Sequence, residues 1–171
     1  MIEEKLKEAF EIAHNEDVSS TPDSLVLYSV SYLPTKENRD KAFEFVKSHP
    51  NKMMIEHTAC GAKLCELGLS ASDDDKYLFD AIMNIWAIAS RRFILQASGD
   101  VTAFVDGADM RSTFVQIELP NILKNPKILH INGIDKFEFA KKFMPENQAQ
   151  QQSPAELCHK KSRSAETGKR L

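Results

Sequence analysis

Arg111-Ser112-Thr113-Phe114-Val115-Gln116-Ile117-Glu118-Leu119-Pro120-Asn121 is an apolar run that keeps one carboxylate, Glu118, among Val, Ile and Leu neighbours. Burying that charge costs several kcal/mol unless something pairs with it. Two readings follow. Glu118 points outward from a strand or caps the turn at Leu119-Pro120, or it is kept inside for chemistry. The flanking sequence decides what kind of fold surrounds it.

Upstream, Asp106-Gly107-Ala108-Asp109 reads as a turn and Val101-Thr102-Ala103-Phe104-Val105 as a strand. Before that strand lies the longest helical pattern, with Tyr77, Phe79, Ile82, Ile85, Trp86, Ala89 and Phe93 at helical spacing. Ser72-Asp73-Asp74-Asp75 is its N-cap, acidic at the positive end, and Ser98-Gly99 its end. Downstream, Lys127 to Ile131 reads as a strand stopped by Asn132-Gly133, and Lys136 to Phe143 as a short final helix.

Further out, Leu6, Ala9, Phe10 and Ala13 predict an amphipathic helix over residues 2–14. Ser24 to Val30 reads as a short buried strand, Glu37 to Val46 as a helix, and residues 59–67 as a helix ending at Gly68. Between the last two, Lys52 to Ile55 is a brief apolar run closing on Glu56-His57-Thr58. From about Met144 the chain turns Gln-rich and then basic, with Lys160, Lys161, Arg163, Lys169 and Arg170, which reads as a disordered tail. The expected fold is α/β: a mainly helical lobe to about residue 98, then a small, mostly parallel sheet with flanking helices to residue 143.

Composition narrows the function. A chain of 171 residues suits one compact domain, and a net charge of −3 gives no general pull towards nucleic acid or membrane. The three cysteines, Cys60, Cys65 and Cys158, make no disulfide framework. With His57 and His159 they fit no zinc template, so no metal is expected. The charged start, Met1-Ile2-Glu3-Glu4-Lys5, lacks a signal peptide's apolar core. The expectation is a cytoplasmic protein, or one exported by a specialised secretion system to act in a target-cell cytosol.

Three separated segments resemble the ADP-ribosyl cyclase family of NAD-cleaving enzymes. Asn84 to Ser90 leading into Gly99 to Gly107 resembles the family's aromatic-Trp-x-x-x-Ser helix and following strand. Ser112 to Asn121 is similar to the segment holding the family's catalytic glutamate, and Ile55-Glu56-His57-Thr58 to its Leu-Glu-Asp-Thr segment at the nicotinamide pocket. Val26-Leu27-Tyr28-Ser29 resembles its Trp-Ser pair. Tyr28 stands where the family has tryptophan, His57 where it has aspartate, and the chain between Tyr28 and Glu56 is longer than the pattern.

The resemblance implies one NAD-cleaving domain over residues 1–143. It makes NAD or NADP the substrate, with no cofactor beyond it. Glu118 becomes the catalytic residue and Trp86, Glu56, Tyr28, Ser29, Ser90, Thr113 and Phe114 the substrate-binding residues. The products would be nicotinamide and ADP-ribose, with some cyclic product possible. Thr113, where cyclising members carry a second aromatic, points to hydrolysis. A disulfide-free member suggests a toxin or effector that depletes NAD, with an inhibitor or immunity protein as a conceivable partner. The alternative is a non-catalytic nucleotide-binding module or protein-interaction protein on the same fold.

Overall fold

The structure is a computed structural model that describes residues 1–72 and 74–143. Helix α1, Ile2–Asn15, buries Ala9, Ile12 and Ala13 and opens on Glu3 and Glu4. Strand β1 (Val26–Tyr28) and helix α2 (Glu37–Ser48) follow. A 3-10 turn, Ile55–His57, leads directly into α3, Ala59–Leu67. Thr58 caps α3 by accepting from the Gly61 N–H at 3.0 Å, and Gly68 ends it in the left-handed conformation, φ 62°.

The longest helix, α4, runs Lys76–Gln96, and Asp75 caps it by accepting from the Leu78 N–H at 2.9 Å. Strand β2 is Thr102–Phe104. A π-helical segment, Phe114–Glu118, then runs straight into α5, Leu119–Lys124. Strands β3 (His130–Ile131) and β4 (Ile134–Asp135) form an antiparallel hairpin across Asn132 and Gly133, both at positive φ. Helix α6, Lys136–Ala140, and a 3-10 turn, Lys141–Phe143, end the described chain.

The sheet is small and parallel at its centre. β1 pairs with β2 in the register Val26↔Thr102, Leu27↔Ala103, Tyr28↔Phe104. Parallel bridges Leu25↔Met53 and Val101↔Ile131 extend it by one segment on each side. Beyond β3 the ladder is continued by a side chain: Asn132 Oδ1 accepts from the Ala103 N–H at 2.8 Å and its Nδ2 donates to Ala103 O at 2.9 Å. α2 packs on β1 and β2, with Val26, Ala42 and Met54 at the centre of that core.

Side chains also close helix ends whose last carbonyls would lack partners. The Arg92 guanidinium donates to Ala13 O and Glu16 O at the end of α1, at 2.7 and 2.9 Å. Asn125 Nδ2 donates to Ile94 O and Ala97 O at the end of α4, both at 2.9 Å. Buried Lys136 donates to Ile122 O and Asn125 O at the end of α5. α4 is thereby tied to both α1 and the segment following α5.

The structure corrects the expected order of lobes. The sheet is not confined to residues 99–143, because β1 and the Met53 bridge come from the first half. Parallel neighbours need long crossovers, and α2, α3 and α4 lie in the chain between β1 and β2. The 111–121 stretch forms no strand, and Leu119-Pro120 is not a turn: Phe114 to Lys124 is helical, and Pro120, with no N–H to give to a carbonyl one turn back, sits where the π-turn passes into α5.

The chain divides into two compact units, Met1–Lys136 and Phe137–Leu171. The second unit's described part is Phe137 to Phe143, the end of α6 and the turn after it. The expected tail, residues 144–171, lies outside the described residues. Among the described residues no helix is long and apolar enough to cross a membrane.

Candidate active site

The carboxyl ends of β1 and β2 are bound together by one side chain. Asn38, in α2, donates to Ser29 O and to Asp106 O, both at 2.9 Å. Carboxyl ends of parallel strands are where α/β folds usually place ligands. A cavity of ≈ 560 Å³ lies there. All eight residues singled out from the sequence line it: Tyr28 and Ser29 from β1 and its exit, Glu56 from the 3-10 turn, Trp86 and Ser90 from α4, Thr113 just before the π-helical stretch, and Phe114 and Glu118 within it.

Glu118 is 7 % exposed. Its backbone belongs to a π-turn in which the Leu119 N–H reaches Phe114 O. Such single wide turns are rare and cluster at functional sites. Burial raises the Glu118 carboxyl to about 8, a bonded Ser90 hydroxyl pulls the other way, and the Glu56 charge adds a smaller upward push.

Glu56 is held from one side only. The Tyr28 hydroxyl donates to Glu56 Oε2 at 2.5 Å, while Oε1 is buried without a partner. Burial, then the Glu56 charge and hydrogen bond, push the Tyr28 phenol far above its ordinary range. Ser29, 5 % exposed, leaves its hydroxyl oxygen unpartnered as well. Ser29 and Glu56 thus each bring a buried oxygen without a protein partner to the cavity.

Trp86 is half-buried and lines the cavity one helical turn from Ser90, so both side chains occupy the same face of α4. His57 does not line it: the exposed ring accepts from the Met54 N–H at 3.0 Å and closes its own turn. The position where the resemblance has an aspartate is therefore structural in this chain.

Sequence reasoning missed Lys36, Arg39, Cys65 and Met83, which also line the cavity. Lys36 and Arg39 stand at the start of α2, in the stretch between Tyr28 and Glu56 that exceeds the family pattern. The Arg39 guanidinium lies 4.5 Å from the Phe43 ring centroid, and its charge partly offsets the upward push on the Tyr28 phenol. Cys65 is a free thiol that burial and the Glu56 charge push up. Among the described residues no group of three or more His, Cys, Asp or Glu side chains is placed to hold a metal ion.

No protein-family model matches the sequence, and no curated protein does. A solved structure of CD38, from work on its catalytic mechanism and a conformationally flexible covalent enzyme–substrate complex, is similar over 81 % of this chain and 83 % of its own. The two are 17 % identical, with a TM-score of 0.43.

Proposed function

We propose that the protein cleaves the nicotinamide–ribose bond of NAD, releasing nicotinamide and leaving ADP-ribose. The observation that carries this reading is Glu118, a buried carboxyl raised to about 8, in a cavity it shares with Trp86 and Glu56.

Bound nicotinamide is already a cation and leaves as a neutral pyridine, so its departure needs no general acid. The ribose it leaves becomes cationic. A single carboxylate in a dry cavity stabilises that charge, by electrostatics or by forming an ester at the anomeric carbon. The substrate's own positive charge counters the desolvation that keeps Glu118 protonated, so binding favours the ionised form. Trp86 offers a π-face to the pyridinium, worth about 1–2 kcal/mol when desolvated. Glu56 Oε1 accepts a carboxamide N–H, Ser29 and Thr113 take ribose or phosphate hydrogen bonds, and water attacks the ribosyl carbon to give ADP-ribose.

Chromatography of the products after incubation with NAD tests this directly. Nicotinamide and ADP-ribose should form in equal amounts with wild type. Glu118→Gln should lower kcat by at least two to three orders of magnitude, roughly, while binding NAD. Intact NAD after prolonged incubation with wild type would sink the proposal.

A further inference from the structure

Beside the cavity, aromatic side chains gather that the proposed reaction does not use. Tyr32 follows Ser31, a cavity-lining residue, and its backbone is left-handed, φ 68°. An aromatic residue in that region is strained and stays there only where its surroundings hold it. The Arg111 guanidinium lies 4.1 Å from the Tyr32 ring centroid, and the Phe79 ring meets Tyr32 edge-on at 6.3 Å. Arg111 is itself fixed, donating through Nε and Nη2 to the two Asp109 carboxylate oxygens at 2.8 and 2.9 Å.

The cluster is connected to the cavity wall through α4 and through neighbours in sequence. Phe79, Met83, Trp86 and Ser90 recur at i, i+4, i+7 and i+11 on α4, one helix face, and the last three line the cavity. Trp86 lies seven positions after Phe79, about 10 Å along the helix axis. Arg111 lies two residues before cavity-lining Thr113. Yet Tyr32 is 45 % and Phe79 38 % exposed.

We infer that Tyr32, Phe79 and Arg111 form a stacking platform for a purine base, the far end of a dinucleotide whose pyridine lies against Trp86. The inference rests on the NAD reading and names its second subsite. A flat ring edged by another and backed by a guanidinium is what base stacking uses. The offset of about 10 Å along α4 suits two bases held apart by two riboses and a diphosphate, and Lys36 and Arg39 on the cavity wall supply cations for the phosphates.

Calorimetric titration of the full chain with ADP and with nicotinamide mononucleotide tests the platform without turnover. Tyr32→Asn, compatible with positive φ, and Phe79→Leu are compared with wild type, with thermal melts confirming that each folds. Each variant should weaken ADP about tenfold or more and leave nicotinamide mononucleotide within twofold. No ADP binding by wild type, unchanged ADP affinity in both folded variants, or equal weakening of the two ligands would overturn it. So would wild-type self-association in sedimentation that either variant abolishes with ADP affinity unchanged, which assigns the patch to a second copy. ADP binding that needs Tyr32 with no NAD cleavage would keep the platform and remove the cleavage reading; cleavage with unchanged ADP affinity in the variants would do the reverse.

Discussion

The Tyr28 hydroxyl donates to Glu56 Oε2 at 2.5 Å, joining the end of β1 to the 3-10 turn across 28 residues of chain. Burial and the facing carboxylate keep the proton on the phenol, so Glu56 is the acceptor, and its other oxygen has no protein partner. Tyr28→Phe removes that donor from a part-buried carboxylate, which costs about 1–3 kcal/mol when the orphaned group stays desolvated. Urea denaturation should show a loss in that range, and kcat/KM for NAD should fall about tenfold. Wild-type values in both assays would mean that the bond does not position Glu56.

Glu118 predicts a rising pH profile. The free protein holds it protonated below about 8, and only the ionised form stabilises a cationic ribose. Because kcat/KM reports groups in the free enzyme, it should climb with pH towards a plateau above about 8. A profile flat from pH 6 to 9 would count against Glu118 as the reacting carboxylate.

The same group sets a stability trend of defined sign. Below the ordinary carboxylate range Glu118 is protonated folded or unfolded and contributes no pH dependence. Between that range and about 8 the unfolded chain releases the proton while the folded chain keeps it, so stability falls as pH rises. Glu118→Gln removes this slope and should be more stable than wild type at pH 8 by on the order of 2–4 kcal/mol. Denaturation curves at pH 5 and pH 8 measure it; an equal gap between the two proteins at both pH values would refute the burial of an ionisable carboxyl.

Trp86 should act on the pyridinium alone. Trp86→Ala is expected to raise KM for NAD about tenfold, Trp86→Phe to recover part of that, and ADP affinity to stay unchanged in both. Equal loss for ADP would identify Trp86 as packing rather than as a wall of the pyridine subsite.

What was legible in the chain follows from how far each signal reaches. Asp75 and Gly68 announce the start of α4 and the end of α3 because capping is a contact between near neighbours. Asn132-Gly133 marks a stop for the same reason, though not the hairpin it makes. The register Val26↔Thr102 is invisible in either strand, since a parallel pair is fixed by what crosses over between them. Glu118 stood out as a lone acid in an apolar run, but its helical backbone did not: β-branched and aromatic neighbours read as extended, and packing of the stretch on α4 overrode that preference. Lys36 and Arg39 reach the cavity only because α2 docks on the sheet, and nothing local in a charged helix start says so.

Gly61 tests whether α3 holds Glu56 in place. The helix packs on the 3-10 turn so closely that a β-carbon at position 61 would run into the Ile55 carbonyl and the Glu56 Cα. Both are backbone, so neither can swing aside; Gly61→Ala must displace the turn or the helix, at about 1–3 kcal/mol for overpacking. Gly68 is the control. It has positive φ but nothing within 4 Å of a β-carbon, so Gly68→Ala costs only the left-handed conformation, about 1–2 kcal/mol. Both variants should melt lower than wild type by similar amounts. Only Gly61→Ala should also lower kcat/KM, because only it moves Glu56. If the two variants lose activity equally, or neither does, the position of Glu56 does not depend on the approach of α3.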